Sequence, residues 1–167
     1  VDPAVNTIKI GFSTGQSVVS RAIRWFTKSR VSHCFLVVED SFLGCDVVME
    51  ATAGGFQVRR LDVFSSGTTI VRIITPSAPL LLGVQEATRW LGERYDYVGL
   101  VGALVMIVAG WFKRKIKNPL HDPNSMFCSE SVVHTLQAAN YPGASALDPA
   151  STTPEALLEF LEGQTAP

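Results

Sequence analysis

Val31-Ser32-His33-Cys34-Phe35-Leu36-Val37-Val38 is the most strand-like stretch of the chain, rich in β-branched and aromatic residues and free of Asp, Glu, Lys and Arg. Side chains alternate along a strand, so His33, Phe35 and Val37 share one face and Cys34, Leu36 and Val38 the other. The unbroken apolar run predicts burial on both faces. His33 opens that strand directly after the small residue Ser32, where a polar ring held by its surroundings suits a fixed base. A core histidine bonded to backbone is the plainer alternative.

Outward from this strand, Thr7 to Phe12 reads as a shorter one. Ser13-Thr14-Gly15-Gln16 fits a capping box and predicts a helix ending near Ser29-Arg30. Val18, Ala22, Trp25 and Phe26 mark one face of it, with Arg21, Arg24 and Lys28 elsewhere. Downstream, Asp40 to Gly44 forms a turn, followed by strands at Asp46 to Glu50 and, after Gly54-Gly55, at Phe56 to Arg60, an antiparallel meander. A further strand, Thr69 to Ile74, stops before Pro76. A helix from Pro79 stripes Leu80, Val84, Ala87, Trp90 and Leu91. Thr153-Pro154-Glu155 opens a last helix that buries Leu157, Leu158, Phe160 and Leu161.

The totals bound the possibilities. A chain of 167 residues, 47% hydrophobic, is long enough for one well-buried core and short for two, so residues 1–167 are expected to form a single domain. Fourteen basic and fifteen acidic residues give a net charge of −1, which offers no general drive toward nucleic acid. Three cysteines, Cys34, Cys45 and Cys128, cannot all pair, and none forms a C-x-x-C. Val1-Asp2-Pro3 starts no basic-then-apolar signal, which favours a cytoplasmic or peripheral membrane location over a secreted one.

Candidate chemistry centres on Asn124-Ser125-Met126-Phe127-Cys128-Ser129-Glu130-Ser131. Asn124 and Ser125 are good N-caps, Glu130 suits a first turn, and Val132, Val133 and Leu136 follow at helical spacing. Cys128 therefore falls in the first turn of a helix, where unpaired N–H groups and the dipole favour the reactive thiolate. A small buried hydrophobe is the competing reading. As a nucleophile Cys128 needs an imidazole. His134, six residues on, points about 240° round the helix and faces away. His121 lies in a proline-bounded loop and is a reserve base, while His33 is the stronger candidate. Glu50, after Val47-Val48-Met49, ends an apolar strand where an acid is costly unless paired or exposed. If its strand neighbours that of His33, the carboxylate can orient the imidazole. Adjacent His33 and Cys34 point to opposite faces, so no metal and no other cofactor is expected.

Val98 to Phe112 carries no charge and precedes Lys113-Arg114-Lys115-Ile116-Lys117. It falls short of the ~20 apolar residues of a spanning helix. A buried hairpin or core helix is one reading. The other is a membrane contact, with Trp111 and Phe112 at headgroup depth and Lys113, Arg114 and Lys115 meeting anionic lipid.

Taken together, Ser32 to Val38, then Val48-Met49-Glu50-Ala51, then Phe127-Cys128-Ser129-Glu130 resemble the circularly permuted NlpC/P60 proteins, the YiiX-like and lecithin:retinol acyltransferase-like branch of the papain-like fold. There the histidine strand precedes the nucleophile helix, as it does here. Arg94-Tyr95-Asp96-Tyr97 is similar to a Tyr-Asp motif of that branch. The resemblance implies an α+β papain-like domain with a small antiparallel β-barrel or sheet packed against the nucleophile helix. It further implies Cys128 as nucleophile, His33 as base and Glu50 as third member, with Tyr95 and Tyr97 near the substrate. The expected activity is that of a cysteine hydrolase or acyltransferase working through a thioester on an amide or ester, from a cell-wall peptide or a lipid. A non-catalytic membrane-associated or ligand-binding module on the same scaffold is the alternative.

Overall fold

The computed structural model describes residues 7–15, 21, 24–25, 28–39, 44–52, 55–92, 94–95 and 125–164. Their core is a five-stranded antiparallel sheet in the order β4-β3-β2-β1-β5. The strands are β1 (Thr7–Thr14), β2 (His33–Glu39), β3 (Val47–Thr52), β4 (Gly55–Arg60) and β5 (Thr69–Ile74). Helices are α1 (Leu61–Gly67), α2 (Leu81–Ala87), α3 (Cys128–Ala138) and α4 (Pro154–Gln164). The α+β class and the single sheet against the cysteine helix agree with expectation. A barrel does not form: β4 and β5 are the two edges, and no ladder joins them.

β2 takes the middle of the sheet because both its faces are apolar. Cys34, Leu36 and Val38 join Ile10, Met49, Val132, Val133, Leu136, Leu157 and Leu161 in the main core, under α2, α3 and α4. On the opposite face Phe35, Val37 and Val48 pack against Phe64 of α1. Gly11 pairs with Phe35 across the ladder, and a Cβ there would lie 2.2 Å from the Phe35 ring. The missing side chain thus lets that ring lie over β1. The entry to β2 is pinned by Glu155 of α4, which accepts from Ser29 Oγ (2.8 Å), Arg30 N–H (2.7 Å) and Arg30 Nε (2.7 Å).

Several local expectations change. Ser13 and Thr14 are not a helix cap but the end of β1, because Ser13 pairs with His33 on one side and Ile70 on the other, and two ladders outweigh one cap. Arg21, Arg24 and Trp25 are helical as expected, but Trp25, placed on the buried face, is 70% exposed; Val18, Ala22 and Phe26 lie outside the described residues. β3 runs past Glu50 to Thr52 through its pairing with β4. α2 starts at Leu81 rather than Pro79, and Leu91, beyond the 3₁₀ turn Thr88–Trp90, is exposed. α1 was not foreseen, since seven residues are too few to display a helical period. Thr153 does cap α4, its Oγ1 accepting from Ala156 N–H at 3.2 Å.

Gly11→Ala is expected to destabilise the fold by about 1–3 kcal/mol through overpacking against Phe35. Chemical denaturation measures this, and an unchanged midpoint would show that the Phe35 ring is not confined there.

Candidate active site

β2 and β3 run together only from Val38↔Val47 to Leu36↔Met49 and then part, although β2 continues to His33 and β3 to Thr52. Each stays paired on its far side, to β1 and β4. α3 packs against both diverging strands. A two-residue parallel pair, β6 (Arg94–Tyr95) with β7 (Ser125–Met126), leads directly into that helix start.

Across the fork, His33 Nε2 and Glu50 Oε2 lie 2.7 Å apart. Had the ladder continued, Glu50 would face Phe35 across it, so His33 and Glu50 are diagonal neighbours on one face, within reach of long side chains. The Glu50 side chain is 2% exposed, and its other oxygen accepts from Arg59 Nε at 2.7 Å and from an Arg59 terminal nitrogen. Burial alone would raise its carboxyl pKa, but His33 and then Arg59 more than offset this and hold it below the ordinary range. The His33 ring packs at 5.9 Å from the Phe35 ring and 6.4 Å from that of Phe64, while the Arg59 guanidinium lies 5.3 Å over Phe64. Those aromatics set the plane of the imidazole.

Cys128 is the first residue of α3 and is 4% exposed. The Cys34 thiol, the His33 ring and the Cys34 backbone N–H border its sulfur and favour its anion. Since Nε2 of His33 is engaged by Glu50, Nδ1 is the nitrogen left for Cys128. The Cys34 thiol is the largest influence on Cys128. With the imidazolium it overcomes burial and holds the Cys128 thiol well below its usual range. Cys34 moves the opposite way: burial, and then the neighbouring Cys128 anion, push it well above that range, so it remains the protonated donor. For His33, burial disfavours the cation, but Cys128 and then Glu50 push it up to about 9. A thiolate, an imidazolium, a carboxylate and a guanidinium therefore alternate in sign through the site.

The structure brings together Cys128, His33 and Glu50, the three residues singled out from the sequence, and adds Arg59 and Cys34, which sequence reasoning missed. The signal for Arg59 was the alternation of β4, which puts Gln57 and Arg59 on the Glu50 side of the meander. Cys34, on the strand face opposite His33, was weighed only as a metal ligand, yet both residues border Cys128 of α3. Ser125 does not cap α3: the cap is Phe127, whose N–H donates to Glu130 at 3.4 Å, while Ser125 lies in β7 and Asn124 lies outside the described residues. His134 is turned away from Cys128, 3.9 Å from Glu130 and beside the Trp90 ring. Tyr95 is placed by its backbone in β6. His121, Tyr97, Trp111, Phe112, Lys113, Arg114 and Lys115, with all of Val98 to Phe112, lie outside the described residues. Among the described residues, no metal-binding group of three or more His, Cys, Asp or Glu occurs, and no helix is long and apolar enough to cross a membrane. Comparison with models of known protein families finds no match, and comparison with curated proteins finds none either.

An NMR titration of His33 should have its midpoint near pH 9. Because this is above the unfolded value of about 6.5, the linked stabilisation is complete below roughly pH 6.5 and is lost as pH rises through about 9. Glu50→Gln removes an anion that favours the cation, so the midpoint must fall. A wild-type midpoint near 6.5 would contradict the charged arrangement.

Proposed function

We propose that the chain is a cysteine hydrolase or acyltransferase of the permuted NlpC/P60 type on a papain-like scaffold, acting on an amide or ester through a thioester. One observation carries this reading: a nearly fully buried carboxylate, Glu50, grips the ring of His33 at 2.7 Å, and Cys128 at a helix start borders the same ring. A core histidine satisfied by backbone would need neither partner. The order of histidine strand, acidic strand and cysteine helix supports the same family.

In the proposed cycle the Cys128 thiolate attacks the acyl carbon and the carbonyl electrons move onto oxygen. The Cys128 backbone N–H, unpaired within the helix at its first residue, is positioned to donate to that oxyanion. Collapse re-forms the carbonyl, breaks the bond to the leaving nitrogen or oxygen, and takes the proton from His33. The now neutral imidazole then removes a proton from water or from an acceptor hydroxyl or amine, which attacks the thioester and releases Cys128 as thiolate. Glu50 holds the ring orientation and stabilises its cation in both halves. Arg59, bound to the far oxygen of Glu50, keeps that carboxylate ionised.

Cell-wall peptides and phospholipids, assayed side by side, supply the amide and ester arms. With the substrate that turns over, Cys128→Ala should abolish activity and His33→Ala should lower kcat by about 10²–10⁴-fold. A quenched reaction should carry an acyl mass on Cys128. Wild-type turnover by Cys128→Ala would reject the proposal.

A further inference from the structure

Cys34 takes no part in the proposed cycle, yet it is a second thiol set against the first. It is fully buried on the inner face of β2, in the same packed cluster as Cys128 and on the strand against which the Cys128 helix packs, with its thiol and backbone N–H bordering the Cys128 sulfur. The third cysteine, Cys45, is half-buried and precedes β3, at the opposite end of that strand from Glu50 and the fork. We propose that Cys34 is a resolving thiol for Cys128, so that a peroxide converts the pair into an intramolecular disulfide that reversibly silences the site. This rests on the reading of Cys128 as the reactive thiolate and adds a mode of regulation to it.

The chemistry balances in two steps. The Cys128 thiolate attacks one oxygen of hydrogen peroxide, the O–O bond breaks, and the departing hydroxide takes a proton from solvent to leave as water. Cys128 is then a sulfenic acid, oxidised by two electrons at the expense of the peroxide. The Cys34 sulfur attacks the sulfenic sulfur, an S–S bond forms, the S–O bond breaks, and the hydroxide leaves with the Cys34 proton as a second water. His33 and Glu50 keep their places, so a thiol reductant returns the resting pair. Without Cys34, the sulfenic acid has no adjacent thiol, and further peroxide carries it to the sulfinic acid, which such a reductant does not reverse.

The test compares the wild type with Cys34→Ala and Cys34→Ser, the latter retaining size and a donor. Each is exposed to hydrogen peroxide, trapped with N-ethylmaleimide and mapped by mass spectrometry, and Cys128 alkylation by iodoacetamide is measured before oxidation and after dithiothreitol. The wild type should lose two hydrogens, show a Cys34–Cys128 linked peptide and regain full alkylation on reduction. Both variants should gain two or three oxygens on Cys128 and fail to recover. Formation of sulfinic acid in the wild type as fast as in the variants, a link to Cys45 instead, or equal recovery in all three would overturn the resolving role while leaving the nucleophile intact. Alkylation of wild-type Cys128 no faster than that of Cys45 before oxidation would overturn the underlying reading of the site as well.

Discussion

A carboxylate shut away from water is the constraint around which this site is built. Removing the Glu50 side chain from solvent carries a desolvation cost of several kcal/mol, and the structure offsets it with one cation on each oxygen: His33 at 2.7 Å and Arg59 at 2.7 Å. The consequences travel outward from there. His33 is held charged by an acid that cannot easily take a proton, and a charged His33 in turn favours the anionic form of Cys128. Four groups of alternating sign then sum to zero, which is how a site this buried tolerates so many charges.

That electrostatic chain needs the sheet to open. β2 and β3 each keep a full ladder on the far side and separate from one another beyond Leu36↔Met49. The same parting brings the backbone N–H of Cys34 to Cys128 and lets His33 and Glu50 meet diagonally. Apolar packing fixes the rest. Gly11 leaves room for the Phe35 ring, Phe35 and Phe64 pack at 4.4 Å, and His33 and Arg59 lie against them. Core packing and site geometry are therefore one arrangement.

Much of this was legible in the residues. Alternation along Val31 to Val38 correctly separated the His33 face from the Cys34 face, and an acid following Val47-Val48-Met49 correctly signalled a need for a partner. Helical spacing after Cys128 located α3. What the sequence concealed was non-local. The extension of β1 through Ser13 and Thr14 is decided by two neighbouring ladders against a good capping sequence, and the fork between β2 and β3 leaves no mark on either strand alone. The open sheet differs from a closed barrel only in whether β4 meets β5, which no local pattern encodes. Arg59 looked like an ordinary strand cation until the register placed it beside Glu50.

The most direct test is the state of the sulfur itself. The ultraviolet absorbance of the thiolate, recorded against pH for wild type minus Cys128→Ala, should persist well below the ordinary thiol range of about 8.5, and His33→Ala should shift its appearance upward. A thiolate that forms only near or above that range, or at the same pH with and without His33, would contradict the ion pair at the centre of this site.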